Sequence, residues 1–539
     1  MTEPGEGELL RMVGDRHCYP HAPAAVELVQ THISIVALAG DLVFKLKKPV
    51  RLPFLDFSTR ERRRAVCRDE VRLNRRLCKD IYLGIATLRR DGDGVRFSPV
   101  VDDEGPDDGR PAEDDEVDFA VVMRRLPADR MLDAMLQQKT ATTADLDGLA
   151  RTLAAFHARA DRSERITELG SADTLCRLAA DNFEELAGVR DHGLLPDLLA
   201  ATAATSTRAF DRVLTRLRTR AAAGFVVDGH GDLHARNLCM TDPPTVYDCL
   251  EFSARLRCCD VATEIAFLVM DLRHRGAGAL AKSFVAAYVA ASGDRELPSL
   301  LPPLVAYRAM VRCKVSAMAA AETEIPAAQR ARARESAASH LLLAAAANLE
   351  TLQQSWLVLC GPPGSGKSTL AQHLHDATGA EILATDRVRK ELAGLQPNDR
   401  ASAEHYTAEF STRTYATVLS RATAATANGA RSILLDGNFA TRELRSAAAA
   451  AARAAGAAPV FVHVTIPEAD GLQRVATRTS DPARISDADP ANYRELRARF
   501  VAPTAVENTP VVTISGLEPT SVQCARTLAA ISTLASASG

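Results

Sequence analysis

The stretch HGDLHARN, residues 230–237, and the later stretch VYDCLEF, residues 246–252, decide the fold of the first two thirds of the chain. Asp232 and Asn237 lie five positions apart, and Asp248 follows beyond a predicted hairpin. Phosphoryl transfer from ATP needs one carboxylate to accept the proton of an attacking hydroxyl, and an amide and a second carboxylate to hold Mg²⁺. The pattern therefore predicts Asp232 as the base, with Asn237 and Asp248 as metal ligands.

The spacing H-x-D-x-x-x-x-N is that of kinase catalytic loops, with Gly231 where protein kinases carry arginine. In this the stretch resembles the aminoglycoside phosphotransferase-like branch of the kinases, in which HGDxHxxN is the usual form and an aspartate in a short strand follows. The resemblance implies a bilobal α+β fold, with an N-lobe over residues 1–130 and a C-lobe with a helical connector over residues 131–350.

The composition is that of an ordinary globular protein, with 539 residues, 47% hydrophobic and 25% charged, and this length predicts two or three domains. A net charge of only −3 argues against a nucleic-acid or anionic-membrane partner. The N-terminus MTEPGEGELL lacks the layout of a secretory signal, and the longest apolar run is too short to span a bilayer. The eleven cysteines show no C-x-x-C pairs and are expected to be reduced and mostly buried. We expect a cytoplasmic protein whose oligomeric state is open.

Two β-rich runs, residues 31–40 and 41–50, meet at a Gly-Asp turn and predict a hairpin. In the second run, DLVFKLKKPV, the period of two places Lys45 and Lys47 on one face of the strand. A strand lysine directed at the ATP phosphates is expected here. We favour Lys45, with Lys47 as the alternative, and the competing interpretation is a pair of solvated lysines on an edge strand.

The stretch FLDFSTRERRRAVCRDEVRLNRRL, residues 54–77, predicts a long helix that follows an N-cap at Ser58 or Thr59. Glu70 is the candidate acid that pairs with the strand lysine. Because this helix is strongly charged, an exposed carboxylate at Glu70 is the alternative.

Two segments follow the helix. The acidic stretch of residues 101–117 contains Gly and Pro and predicts an exposed loop. The run DFAVVMRRLP, residues 118–127, is an apolar strand. In kinase-like folds this segment joins the lobes and offers backbone groups to adenine, so the resemblance places Met123 at the adenine-binding hinge.

The C-lobe is predicted to be largely helical from about residue 141, and the spacing of its apolar residues favours His157 as a helix-packing residue. Asp260 precedes a strongly apolar helix and is expected to be its N-cap. A basic cluster on a later helix consists of Tyr307, Arg308, Arg312 and Lys314. It would either bind an anionic group of the substrate or form a solvated basic face, and the sequence favours neither.

A second phosphate site is predicted from SWLVLCGPPGSGKSTLAQHL, residues 355–374, a short apolar strand that runs into G-x-x-x-x-G-K-S and a helix. Backbone N–H groups at the helix start surround a phosphate, Lys367 reaches the β/γ oxygens, and the Ser368 hydroxyl takes a magnesium position. The nucleotide-binding residues are Gly361, Gly364, Ser365, Gly366, Lys367, Ser368 and Thr369.

The residues after this P-loop are similar to a small nucleoside-monophosphate-kinase-like unit. Asp386 and Arg389 follow a short strand, where such kinases receive the phosphate acceptor. Asp436 ends a buried strand and suits the magnesium-shell acid. Arg474 and Arg478 lie four apart on a helix and resemble lid arginines that neutralise the transferring phosphate. Alternating strands and helices imply an α/β domain with a parallel sheet.

Together the two halves resemble a fused bacterial family, in which an aminoglycoside phosphotransferase-like domain is joined to a P-loop kinase domain, here residues 351–539. The resemblance implies an ATP- and Mg²⁺-dependent enzyme with two sites, which phosphorylates a hydroxyl of a small polar metabolite such as a sugar or aminocyclitol. One alternative is a single active kinase domain regulated by the other domain as an ATP sensor. Another is an aminoglycoside resistance kinase, although the basic cluster fits an anionic acceptor better. The acceptors and the choice between ATP and GTP are open.

Overall fold

The structure is a computed structural model, and it describes residues 4–52, 55–102, 113–478, 487–504 and 507–537. The chain divides into two compact units, Met1–Leu175 with Arg216–Pro298 and Cys176–Thr215 with Ser299–Gly539. Residues 299–350 thus group with the P-loop segment, whereas the sequence analysis placed them with the kinase-like lobe. The boundaries at residues 130 and 350 remain a prediction. Residues 103–112 of the predicted acidic loop lie outside the described residues.

The N-terminal part of the first unit is built on an antiparallel sheet of six strands in the order β1-β2-β3-β8-β6-β7. The hairpin predicted from the sequence is present, with Ala39 opposite Leu42. The strands of this region are β1 (Val26–Gln30), β2 (Ser34–Ala39), β3 (Leu42–Lys47), β4 (Arg51–Leu52), β5 (Leu55–Asp56), β6 (Tyr82–Asp91), β7 (Gly94–Phe97) and β8 (Glu116–Arg124).

The two faces of this sheet belong to different apolar clusters. On β3, Phe44 and Leu46 pack in one cluster and Val43 in the other, as the period of two requires. A helix, α2 (Arg60–Cys78), packs on β8 and β6 on the Val43 side and begins after its N-cap Thr59, which accepts from the amide of Arg62. The lysine face of β3 therefore lies beneath α2.

The remaining helices up to α10 are mostly those of the predicted helical lobe. They are α1 (Glu6–Gly14), α3 (Leu132–Gln138), α4 (Thr143–Arg159), α5 (Glu164–Leu169), α6 (Ala172–Ala187), α7 (Pro196–Ala222), α8 (Ala254–Arg257), α9 (Val261–His274) and α10 (Gly278–Ser292). Two short antiparallel ribbons lie among them, β9 (Val226–Asp228) with β12 (Cys258–Asp260), and β10 (Leu238–Cys239) with β11 (Thr245–Val246). The loop of residues 230–237 joins β9 to β10, so both of its ends are anchored in strands.

The second unit contains a parallel sheet of five strands in the order β14-β15-β13-β16-β17. Its elements are α11 (Leu297–Ala321), α12 (Ala327–Leu352), β13 (Ser355–Cys360), α13 (Lys367–Thr378), β14 (Glu381–Ala384), α14 (Thr385–Leu392), α15 (Ala408–Ala427), β15 (Ser432–Asp436), α16 (Arg442–Ala454), β16 (Ala458–Thr465), α17 (Glu468–Arg478), α18 (Tyr493–Ala498), β17 (Val511–Ser515) and α19 (Thr520–Ala537). The P-loop strand β13 is central and wholly buried. The next two strands in the chain, β14 and β15, lie on one side of β13, and the last two, β16 and β17, lie on the other. This reversal places the P-loop at a topological switch point.

Specific polar contacts tie residues of the 176–215 segment to the rest of the second unit. Asn348 of α12 donates to the carbonyl oxygen of Thr202 at 3.3 Å. Arg208 donates to the carbonyl oxygen of Ala535 at 3.0 Å, and Arg212 donates to that of Leu352. These bonds account for the grouping of this segment with the P-loop sheet.

The cysteines agree with the prediction, since every one is free and all except Cys176 are buried. Across the described ranges, no helix combines the length and apolar character needed to cross a bilayer.

Candidate active sites

In the first unit, the strand lysine and the helix acid meet as predicted. The Lys45 ammonium donates to Glu70 Oε1 at 2.8 Å and to Asp248 Oδ1 at 2.5 Å. Burial alone would lower the pKa of Lys45, but Asp248 and Glu70 together raise it well above its ordinary value. Burial likewise acts to raise the pKa of Glu70, and the two lysines beside it bring that pKa below its ordinary value. Lys45 is therefore charged and bridges the helix to the segment after β11.

The second lysine of the strand has different surroundings. The Lys47 side chain is fully buried and forms ion pairs with Glu70 Oε2 at 2.6 Å and Glu251 Oε1 at 2.5 Å. The sequence analysis did not single out Glu251, although it lies in the quoted VYDCLEF stretch. Its only signal was a second carboxylate in an otherwise apolar segment, three residues after Asp248.

The predicted base and amide lie side by side. The Asn237 amide donates to the carbonyl oxygen of Asp232 at 3.0 Å and to its Oδ2 at 3.3 Å. Because β10 pairs with β11, the amide of Tyr247 donates to the carbonyl oxygen of Asn237 at 3.1 Å, and Asp248 is the next residue. The carboxylates of Asp232 and Asp248 both act on the pKa of His230, which burial holds below its ordinary value. The structure thus brings Asp232, Asn237 and Asp248 into one site.

A buried carboxylate of α9 holds this loop from below. Glu264 Oε1 accepts from the backbone amides of His230 at 2.7 Å and Gly231 at 2.5 Å. Its other oxygen lies 3.0 Å from Nε2 of His157, whose Nδ1 is 2.7 Å from the Tyr288 hydroxyl. His157 is therefore buried in the helix packing of α4, as expected, and also belongs to a hydrogen-bond chain that ends at the loop. No sequence pattern links Glu264 to this loop.

The first residue of α9 is preceded by its predicted N-cap. Asp260 accepts from the amide of Ala262 at 2.8 Å. Its carboxylate also forms two bonds of 2.9 Å with Arg220, which in turn pairs with Asp294. The cap therefore also serves as one partner in a buried ion-pair cluster.

The donor atoms of the first site fit a hard cation. Asn237 and Asp248 offer an amide oxygen and carboxylate oxygens, which are ligands that Mg²⁺ prefers. Within the described ranges, no cluster of three or more His, Cys, Asp or Glu side chains is arranged to hold a metal ion. A cation here would therefore need phosphate oxygens to complete its shell, which is the usual manner in which Mg²⁺ binds with a nucleotide.

In the second unit, the P-loop turns from β13 into α13. Gly361 and Gly364 have φ of 152° and 76°, and a Cβ on Gly364 would lie 2.5 Å from the carbonyl oxygen of Gly471 in α17. The Lys367 ammonium donates to the carbonyl oxygens of Gly361 and Pro362, both at 2.9 Å. Burial lowers the pKa of Lys367 to about 8.

The serine and the strand acid of this P-loop also meet. Burial raises the pKa of Asp436, the last residue of β15, and a hydrogen bond from Ser368 opposes this shift. Ser365 is buried inside the loop, Gly366 caps α13, and Thr369 is exposed in its first turn. Ser368 and Asp436 thus present oxygen atoms beside Lys367, a donor set that again suits Mg²⁺.

The predicted acceptor residues lie next to this centre. Asp386 stands in the first turn of α14, and burial and the neighbouring Asp436 raise its pKa, while Arg389 opposes the shift. The Arg389 side chain is buried, donates to the carbonyl oxygen of His405 at 2.6 Å and lies 4.5 Å from the centre of the Tyr406 ring. Asp386 therefore lies near Asp436, the acid predicted to support Mg²⁺, and Arg389 lies near Asp386.

The two predicted lid arginines are both on α17. Arg474 donates to the carbonyl oxygen of Gly516 at 2.9 Å. Arg478 is the exposed last residue of the helix, and its charge contributes to the lowered pKa of Lys367. Their role at the transferring phosphate stays a prediction.

The remaining predicted residues are placed as follows. Met123 is buried near the end of β8, opposite Val43 of β3. In the basic cluster on α11, Tyr307 and Arg308 are buried and Arg312 is half-buried, while Lys314 donates to Glu185 at 2.9 Å. The Lys314 bond favours a structural interpretation for that residue, and binding of an anionic substrate group by this cluster stays a prediction.

Comparison with known families matches both halves of the chain. The profile of the family described as "Phosphotransferase enzyme family" matches residues 87–300, and that described as "AAA domain" matches residues 357–503. "Uncharacterized protein Rv2004c" of Mycobacterium tuberculosis (strain ATCC 25618 / H37Rv) is 34% identical over 368 residues, which is 68% of this chain and 68% of that protein. The same figures hold for "Uncharacterized protein Mb2027c" of Mycobacterium bovis.

Solved structures also resemble part of the chain. A gluconokinase from Sinorhizobium meliloti 1021 is 17% identical, with a TM-score of 0.26, and the match covers 34% of this chain and 94% of that one. A shikimate kinase from Aquifex aeolicus vf5 is 18% identical, with a TM-score of 0.24 and coverage of 34% and 99%. On the family matches and the mycobacterial relatives, the chain belongs to the family in which an aminoglycoside phosphotransferase-like domain is fused to a P-loop kinase-like domain.

Proposed function

We propose that the protein is an ATP-dependent phosphotransferase with two phosphoryl-transfer sites, each of which moves the ATP γ-phosphate to a hydroxyl of a small polar metabolite such as a sugar or aminocyclitol. The observation that carries the proposal is the bridge from Lys45 to both Glu70 and Asp248, directly beside the Asp232–Asn237 pair. The near-neutral net charge of −3 supports a small-molecule acceptor and no nucleic-acid or membrane partner. The free and mostly buried cysteines support a cytoplasmic enzyme.

In the first site, each side chain has a task that its contacts support. Lys45 orients the phosphates, and the Asp232 carboxylate accepts the proton of the acceptor hydroxyl. The Asn237 amide nitrogen donates to Asp232, so the amide oxygen of Asn237 is the atom suited to a cation. Mg²⁺, when bound by Asn237 and Asp248, supplies positive charge beside the phosphates. Met123 at the end of β8 borders the adenine.

In the second site, the backbone amides of Gly364 to Thr369 bind the nucleotide phosphates at the start of α13. Lys367 exchanges its bonds to the loop carbonyls for bonds to phosphate oxygens. Ser368 and Asp436 are the residues that would hold Mg²⁺. Asp386 and Arg389 orient the acceptor, and Arg474 and Arg478 stabilise the charge that develops on the transferred group.

The test separates the two sites in the full chain. Asp232→Ala and Lys367→Ala are compared with Asp211→Ala and Lys282→Ala, which change exposed residues outside both sites. ADP release is followed with a metabolite extract, and phosphorylated products are identified by mass spectrometry. We expect each site variant to remove one product and leave the other, with both controls unchanged.

Other outcomes would decide against the proposal. If either lesion removes every product, or if neither changes any product, the two-site function is wrong. If Lys367→Ala abolishes nucleotide binding but alters only the rate of a product made at the first site, the P-loop domain is a regulatory sensor. If an aminoglycoside is the acceptor that is phosphorylated, and cells are protected from the drug, the protein is a resistance kinase.

A further inference from the structure

Two lysines and three carboxylates of the first unit form one continuous chain of ion pairs. Asp248 pairs with Lys45 at 2.5 Å, and Lys45 pairs with Glu70 at 2.8 Å. Glu70 then pairs with Lys47 at 2.6 Å, and Lys47 pairs with Glu251 at 2.5 Å. Each oxygen of Glu70 therefore faces a different lysine of β3.

The two ends of this chain differ in their access to solvent. At one end, the side chains of Asp248 and Lys45 are 39% and 13% exposed. At the other end, Lys47 and Glu70 are fully buried and Glu251 is 5% exposed. A polar ligand can reach the Lys45 end, whereas Lys47 is enclosed among its partners.

Glu251 is held in place by the segment that carries it. The amide of Cys249 donates to Asn74 Oδ1 at 2.9 Å, and the Asn74 amide donates to the carbonyl oxygen of Glu70 at 2.8 Å. The amide of Asp248 donates to the Tyr82 hydroxyl at 3.2 Å. The segment is thus fastened to the same turn of α2 that presents Glu70, so Glu251 and Glu70 approach Lys47 from fixed positions.

We propose that Lys47 is a positioning residue, which keeps Glu70 neutralised so that Lys45 directs its charge to the phosphates of ATP, and that Glu251 is the buried counter-charge of Lys47. A carboxylate with a single lysine partner in a buried site holds that lysine strongly and competes with any other anion. Lys47 supplies the second partner, and Glu251 balances the charge of Lys47 in the buried site. The inference rests on the proposed function of the first site, and it assigns the phosphate-binding role to Lys45 and a supporting role to Lys47.

The test measures ATP affinity and thermal stability separately. All variants carry Lys367→Ala in the full chain, so that only the first site binds, and ATP with MgCl₂ is titrated by calorimetry. Lys47→Met leaves Glu70 with Lys45 alone, and we expect ATP affinity to fall at least about tenfold, the effect of losing one charged hydrogen bond. Glu251→Gln gives Lys47 entirely to Glu70, so we expect ATP affinity to be unchanged or higher even though Tm falls.

Two further variants separate positioning from folding. In Lys47→Met/Glu251→Gln we expect Tm to recover relative to Lys47→Met, while ATP affinity stays low. Lys48→Met is the matched control, because Lys48 is the next residue and pairs with Glu6 at 2.7 Å instead; its ATP affinity should equal that of the parent.

The inference is overturned if Lys47→Met and Glu251→Gln weaken ATP binding by the same factor, or if the double variant recovers affinity together with Tm. It is also overturned if Lys47→Met binds ATP as the parent does. If the Lys367→Ala parent itself binds no ATP, the proposed function of the first site fails and the inference fails with it. The parent measurement therefore distinguishes the two failures.

Discussion

At the scale of single residues, the loop that carries Asp232 depends on the Glu264 carboxylate beneath it. Glu264 accepts hydrogen bonds from the backbone amides of residues 230 and 231, which come immediately before the proposed base. Burial tends to raise the pKa of Glu264, but its interactions with His157, His230 and Gly231 bring it to about 2. The ionised carboxylate is therefore a stabilising part of the folded site.

Glu264→Gln should destabilise the protein most at neutral pH. The folded pKa of about 2 lies below the ordinary value of 4.5, so the stabilisation is fully present above pH 4.5 and is lost as the pH falls toward 2. We expect a loss on the order of 3 kcal/mol at pH 7. Urea unfolding of wild type and variant at pH 7, 4 and 3 checks this, and a difference that stays constant with pH would contradict it.

Gly229→Ala should disturb the contact between Glu264 and the loop by a change in the loop itself. A Cβ at residue 229 would lie 2.6 Å from Cδ of Glu264 and 2.7–2.8 Å from its oxygens. Because those oxygens are held by hydrogen bonds, the side chain has no easy way to move, and we expect about 1–3 kcal/mol of destabilisation. Thermal unfolding measures the loss.

Gly278→Ala is the matched control for this substitution, since its Cβ would meet nothing within 4 Å and the residue begins α10. It should be neutral or slightly stabilising. Equal losses at positions 229 and 278 would show that the Glu264 contact is unimportant.

The sequence predicts the residues of the first site better than it predicts their partners. Lys45 and Lys47 occupy equivalent positions in a period of two, and nothing local distinguishes the phosphate lysine from the enclosed one. The distinction depends on Glu251, which is 204 positions away from Lys47. A long-range contact of this kind produces no regular residue spacing that could be recognised in the sequence.

At the scale of elements, α9 is fixed at its first turn by Asp260, which both caps the helix and pairs with Arg220. This helix presents Glu264 to the site one turn later. A weaker start of α9 should therefore affect the loop above it.

Asp260→Ala should cost much more than the loss of a cap. It leaves Arg220 with only part of its buried counter-charge. Removing one partner of a buried ion pair typically destabilises the folded state by about 3–5 kcal/mol. Asp260→Asn keeps the cap oxygen and should lose less. Thr59→Ala is the control, a cap on α2 that has no ion pair, with an expected cost of about 1 kcal/mol. Chemical denaturation ranks the three variants, and equal losses for Asp260→Ala and Thr59→Ala would contradict the role of the ion pair.

Elements with strong local signals were predictable. The Thr59 and Asp260 caps, the β2–β3 hairpin and the strand–loop–helix of the P-loop all lie where the sequence placed them. Turn residues, caps and glycines act through the adjacent backbone, so their effect is legible from neighbouring positions.

At the scale of the whole molecule, the proposed pair of nucleotide sites gives a simple expectation for stoichiometry. Calorimetric titration of the full chain with ATP and MgCl₂ should give two sites per chain, in accordance with the separate P-loop and Lys45 centres. Lys367→Ala and Lys45→Met should each reduce the number to one. Each bound ATP should also raise Tm, because a ligand that binds only the folded state stabilises it. A wild-type stoichiometry of one would contradict the two-site arrangement.

The grouping of segments was the least predictable feature. The sequence predicts helices within residues 176–215 and 299–350, but an apolar helix face does not specify which partner covers it. The bonds from Asn348 to Thr202 and from Arg208 to Ala535 join segments that are far apart in the chain. Only the folded structure shows that these helices accompany the P-loop sheet.

The contact between Gly364 and Gly471 has a consequence for motion. The two backbones pack there without room for a methyl group, so the beginning of α17 lies directly against the P-loop. Arg474 and Arg478 follow Gly471 on the same helix. If this helix moves during turnover, we expect the motion to be largest at its Arg478 end, beyond both Gly471 and the bond from Arg474 to Gly516.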